Sequence, residues 1–170
     1  YIILKGNKID NLILDADFPN NQKISFTVIT NDVNETTSSL ITDYPKPLIK
    51  RYKFIKGFEE GNLNFKSIKK DGESNSVLII DDFKVQEVPI FAKLLSLASL
   101  QGIADILTGE GIRFTDLEMR FSNKKGLTTI DEMYAIGPAV SILMDGYIES
   151  KKLVSLRGTL VPATTINKSI

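Results

Sequence analysis

The only side chains arranged for acid/base chemistry are three carboxylate pairs, Glu59-Glu60, Asp81-Asp82 and Asp131-Glu132. A glycosidase-type reaction needs two carboxyl groups facing each other across a cleft, about 5 to 9.5 Å apart. Here the members of each pair are consecutive, and consecutive residues of a strand point to opposite faces. They read as solvated turn or strand-edge residues rather than as an acid and a base serving one substrate. The 170 residues include no Cys and no His, which excludes thiol nucleophiles, disulfides, the Ser-His-Asp triad and the usual zinc sites within this chain. Gly109-Glu110-Gly111 lacks the third glycine and the strand-before-helix setting of a dinucleotide fingerprint, so it marks the end of a helix. The expectation is a chain with no catalytic residues, no metal and no cofactor.

Charge points the same way. Twenty-one basic residues balance 21 acidic ones, leaving little of the field that draws a protein to phosphate backbones, and nucleic acid is not expected as a partner. The basic cluster Lys50, Arg51, Lys53 and Lys56 suits a solvated face, with anionic lipid headgroups as the alternative. Asn34-Glu35-Thr36 matches a glycosylation sequon, a match common by chance. The length fits one domain or one and a fraction, able to bury roughly 70% of its unfolded surface. The opening YIILKG has no initiator Met and no basic leader and reads as the interior of a strand, so the chain reads as a fragment. The longest apolar stretch, 90–107, is broken by Lys93, Gln101 and Asp105 and only just reaches spanning length, so no membrane span is expected within it.

Most of the chain around these carboxylates reads as strand. Segments 8–18 and 23–33 flank Pro19-Asn20-Asn21, a turn signature, and predict a first hairpin. Within it Ile24, Phe26 and Val28 fall on one face and Ser25 and Thr27 on the other. The polar stretch 31–39, followed by Asp43-Tyr44-Pro45-Lys46-Pro47, reads as a linker with a domain boundary near residue 43 and a short helix at about 46–54. Segments 60–68 and 76–85, joined through Asp71-Gly72, predict a second hairpin whose turn needs positive φ. Pro89 and Gly109 then bracket an apolar helix over about 89–108, with Leu, Ile and Phe around most of its circumference. Burial of those side chains at about 1.5 to 3 kcal/mol each would make that helix the main stabilising element. Four strands follow at about 112–122, 127–136, 139–149 and 153–163. Their short connections, with turns at Gly126 and at Gly137-Pro138, force antiparallel neighbours. At about 3.3 Å per residue, strands of about ten residues run to about 33 Å, longer than most. The fold expected is α+β and mainly β: a long, curved antiparallel meander with one main apolar helix. Residues 1–42 read as the end of a preceding β-repeat, and 43–170 as the domain proper.

Four motifs then carry a resemblance: Ala92-Lys93-Leu94-Leu95-Ser96-Leu97-Ala98-Ser99-Leu100; Gly109-Glu110-Gly111-Ile112-Arg113-Phe114; Gly137-Pro138-Ala139; and Leu156-Arg157-Gly158-Thr159-Leu160-Val161-Pro162-Ala163. In order, spacing and content, residues 43–163 resemble the AsmA-like C-terminal region of large envelope proteins of Gram-negative bacteria, the AsmA, TamB and YhdP type. The resemblance implies a repeating β-groove, anchored in the inner membrane by a segment outside this chain and projecting through the periplasm. It implies phospholipid acyl chains as cargo, neighbouring β-repeats as partners, and a part in outer-membrane maintenance. On that reading Phe91, Leu95, Leu100, Ile106, Phe114, Ile142, Met144, Leu156 and Leu160 are groove candidates, and Gly109, Gly111, Gly126, Gly137 and Pro138 set the turns. Alternate strand residues facing a concave side would suffice to hold acyl chains. Residue by residue, the commoner role of such side chains is a core packed beneath the helix, and then the domain is structural or binds protein.

Overall fold

The hairpins of this chain are built where the sequence reverses with residues that tolerate positive φ. At Asp71-Gly72 (φ 50° and 78°) and Lys125-Gly126 (φ 50° and 83°) two-residue turns adopt the left-handed conformation that matches strand twist. The computed structural model describes residues 1–6, 8–51, 57–86, 111–149 and 153–162. They form strands β1 (Ile2–Lys5), β2 (Lys8–Asp17), β3 (Lys23–Thr30), β4 (Thr36–Thr42), β5 (Glu59–Lys70), β6 (Glu73–Val85), β7 (Ile112–Lys124), β8 (Leu127–Ile136), β9 (Val140–Glu149) and β10 (Leu153–Pro162). All ten lie in a single sheet in sequence order, each antiparallel to the next, with β1 and β10 at its edges. The mainly β, antiparallel expectation holds, and both hairpins and the four-strand meander fall where the turn chemistry puts them.

Three features differ from the sequence reading. Thr36–Thr42, which falls largely in the expected polar linker, is strand β4, hydrogen-bonded to β3 on one side and β5 on the other. Its threonines carry β-branched stems, so a polar stretch can still sit on a pleated surface between two partners. The short helix at 46–54 is observed as α1 (Lys46–Ile49), with Pro45 as its N-cap residue; residues 52–56 lie outside the described residues. The apolar helix expected over 89–108 also lies outside them.

The third difference concerns the carboxylate pairs. On β6 the burial alternation slips at Asp81 and Asp82, both exposed, between buried Ile80 and buried Phe83. The same slip occurs on β7 at Thr115 and Asp116, and Asp82, Glu60 and Gly61 all have positive φ. On β8 the register shifts between Ile130 and Met133, and Asp131 and Glu132 are both exposed. The β8 slip is a bulge, with one extra residue on that strand; across β5, β6 and β7 the alternation slips in step and the register is kept. Two of the three pairs thus escape the opposite-face rule, and in both the carboxylates are turned to solvent.

The buried cluster gathers at one end of the central strands: Ile49, Phe58, Leu63, Ile80, Phe83, Val85, Ile112, Phe114, Ala135, Val140, Ile142 and Met144. Phe58, Phe83 and Phe114 stack in series, with ring centroids 5.4 and 5.3 Å apart, an offset geometry that adds about 0.5–1.5 kcal/mol per pair beyond burial. Gly111 at φ 87° reaches this cluster so closely that a Cβ would stand 2.7 Å from the Val85 carbonyl oxygen.

Candidate functional site

In-register strands turn alternation within each strand into rows that cross the whole sheet. One row runs Leu14, Phe26, Leu40, Phe65, Leu78, Met119, Met133, Met144, each the direct partner of the next, and ends at Gly158 on β10. No charged or polar side chain interrupts it. At about 4.8 Å between strands it is roughly 38 Å long. A parallel row runs Ala16, Ile24, Thr42, Leu63, Ile80, Leu117, Ala135, Ile142, Leu160.

Exposure separates the rows. In the second, Leu63, Ile80, Ala135 and Ile142 are buried. In the first, Phe26, Leu40, Phe65, Leu78, Met119 and Met133 are half-buried and Leu14 is 47% exposed. Toward the hairpin turns the same face becomes mixed and then polar. The next row is Leu12, Val28, Ser38, Ser67, Ser76, Phe121 and Ile130, in which Val28, Ser76 and Ile130 are buried and the Ser76 hydroxyl donates to Ser67 at 2.9 Å. Beyond it stand Thr30, Thr36, Lys69, Ser74, Asn123 and Thr128, with Asn123 Nδ2 donating to Thr128 at 2.8 Å. One face therefore runs from a closed core, through a half-buried apolar row and a mixed row, to a rim of hydroxyls, an amide and one ammonium group.

The opposite face is polar at the same level: Thr27, Ser39, Lys66, Val77, Arg120 and Glu132 are register partners. Its most organised group is Glu118, which accepts from the Tyr134 hydroxyl at 2.7 Å and pairs with Arg120 at 2.6 Å. The Tyr134 hydrogen bond, aided by Arg120 against the cost of partial burial, holds the Glu118 carboxyl below its ordinary range, and the same bond pushes the Tyr134 hydroxyl up. A carboxylate held ionised in this way is a poor proton donor at neutral pH. Glu59 and Glu60 are committed to Lys46 (3.3 Å) and Arg113 (2.7 Å). Two surface hollows, one lined by Asp15, Asp17, Lys23 and Asp43 and the other by Glu35, Asp71, Glu73 and Lys124, include none of the three carboxylate pairs.

The residues singled out from sequence divide three ways. Phe114, Ile142 and Met144 are buried members of the core cluster. Leu156 and Leu160 are half-buried and pack against it. Phe91, Leu95, Leu100, Ile106 and Gly109 lie outside the described residues, as do Lys53 and Lys56. Gly111 and Gly126 have positive φ, whereas Gly137 is needed for a close approach, since a Cβ there would collide with the Arg113 carbonyl oxygen. Pro138 follows it in the β8–β9 connection, exposed. Sequence reasoning missed Leu40, Phe65, Leu78, Met119 and Met133, which form the open part of the row; their alternation was readable, but their alignment required the register.

The fold defines an open ten-stranded antiparallel meander whose buried cluster lies on one face, while the other carries exposed Ile29, Ile41, Ile136 and Leu143 among its polar residues. Compared with models of protein families, with curated proteins and with solved structures, the chain matches none. Among the described residues no helix is long and apolar enough to cross a membrane, and no cluster of His, Cys, Asp or Glu could hold a metal ion.

Proposed function

We propose that this chain is a non-enzymatic, lipid-holding segment of an inner-membrane-anchored periplasmic protein, in which the apolar sheet face forms a groove carrying phospholipid acyl chains toward the outer membrane. The observation that carries the reading is the uninterrupted apolar row from Leu14 to Met144, whose central side chains stay half-buried. A contiguous apolar strip of that length is what a docking surface for apolar material looks like, because solitary surface hydrophobics are common but long strips are not. The grading of the face supports it further: acyl chains would lie along the row while Lys69 and the neighbouring hydroxyls and amide meet the phosphate headgroup. The resemblance of residues 43–163 to the AsmA-like region supplies the cellular setting of the proposal. The competing reading, a structural or protein-binding β-domain of the envelope, draws on the buried Phe58-Phe83-Phe114 stack, which is core by any measure.

Native mass spectrometry of the protein purified from bacterial cells, followed by lipid extraction, separates them. The proposal expects stoichiometric phospholipid, reduced at least tenfold by Met119→Asp or Leu156→Asp. A folded, lipid-free protein would support the structural reading instead.

A further inference from the structure

The chain has three methionines in all, and they are one another's register partners. Met119 on β7 pairs with Met133 on β8, and Met133 pairs with Met144 on β9. Direct partners on one face have Cβ atoms about 4.5–5.5 Å apart, and the unbranched methionine side chain swings its sulfur by rotation about its Cα–Cβ and Cβ–Cγ bonds. The two flanking thioethers can therefore lean toward Met133 and bring three sulfur atoms to a common point.

The surroundings leave room for that convergence. Met144 faces Gly158 across the β9–β10 pair and is followed two residues later by Gly146, and Met133 is followed two residues later by Ala135. A Cβ at Gly158 would stand 2.7 Å from the Leu143 carbonyl oxygen and in contact with the Met144 Cβ at 3.4 Å, so the absence of a side chain there leaves space beside Met144. Met119 and Met133 are half-buried and Met144 is 9% exposed, so the cluster is reachable from one side and sheltered on the other.

We propose that Met119, Met133 and Met144 form a three-thioether site for a soft monovalent cation, Cu(I), with Ag(I) as its redox-inert analogue. Thioethers are soft, uncharged donors that favour Cu(I) over oxygen-seeking ions such as Mg²⁺ or Ca²⁺. The chain has no Cys thiolate and no His imidazole, so these three sulfurs are its only soft donors. The site goes beyond the lipid reading and does not depend on it.

The test is titration of the full chain with Ag(I), and anaerobically with Cu(I) against a chromophoric Cu(I) chelator, while the methionine methyl resonances are followed by NMR. One cation per chain is expected, with all three methyl signals shifting together. Met119→Leu, Met133→Leu and Met144→Leu, which conserve volume and apolarity, should each weaken binding at least tenfold at an unchanged unfolding midpoint. If Met144→Leu loosens the core, the half-buried Met119 and Met133 variants carry the test. Absence of binding, binding that survives all three substitutions, or a shift of only one methyl signal would overturn the proposal.

Discussion

The two ends of the apolar face are made of the same residue types and behave differently. At the end bearing α1, Phe58, Phe83, Phe114, Val85, Ile112 and Val140 are all at or below 5% exposure. One row further along, past Leu63, Ile80 and Ile142, the open row with Phe26, Leu40, Phe65, Leu78, Met119 and Met133 is half-buried. The first region is spent on stability, since each of its side chains is removed from water. The second keeps apolar area in partial contact with solvent, which a fold under selection for stability alone has no reason to align from one side of the sheet to the other.

The most demanding test of this contrast is to truncate a phenylalanine in each region. Phe114→Ala should cost about 3–5 kcal/mol, the range for emptying a buried aromatic site. Phe26→Ala on the open row should cost about 1–2 kcal/mol, because its side chain already meets water in the fold. Urea unfolding monitored by circular dichroism measures both, and equal losses would dissolve the distinction.

Next in size is Gly111→Ala. It combines φ 87° with a Cβ 2.7 Å from the Val85 carbonyl oxygen, and should cost about 1–3 kcal/mol. Gly72→Ala, at φ 78° with open space around it, should cost about 1 kcal/mol from the left-handed backbone alone. The same unfolding experiment compares them, and a larger loss at Gly72 would mean that the closed end tolerates crowding it is argued not to.

The smallest effect lies on the polar face. Because the fold lowers the Glu118 pKa from its ordinary value of 4.5, its contribution is complete above that pH and is lost as pH falls through the lower folded value. Tyr134→Phe removes the largest cause and should move the Glu118 pKa upward in a carboxyl NMR titration, flattening stability against pH below 4.5. An unmoved pKa would mean that the Tyr134 hydrogen bond does not hold in solution.

Much of the strand order was readable because each reversal carries its own chemistry, as at Asp71-Gly72 and Lys125-Gly126, and because alternation within one strand needs no distant information. Strand β4 was not readable, since Thr36, Thr37, Ser38 and Ser39 are polar and only the ladders to β3 and β5 make them strand. The in-step slip at Asp81-Asp82 and the bulge at Asp131-Glu132 were hidden for a similar reason: both are set between neighbouring strands and leave no mark in one of them. The open row was half legible. Alternation shows which face Phe65 or Met133 occupies, but the lateral alignment of the strands depends on every turn length between them.

If the sheet carries lipid, acyl chains should meet the open row and not the reverse face. The chain has no Trp, so a single introduced indole reports its own surroundings. Phe26→Trp places one on the row, and Leu143→Trp places one on the polar face, where Leu143 is 50% exposed beside Tyr134. With phospholipid brominated along its acyl chains, fluorescence of the Phe26→Trp variant should be strongly quenched and that of the Leu143→Trp variant barely changed. Equal quenching in the two variants, or none in either, would contradict a lipid-bearing open row.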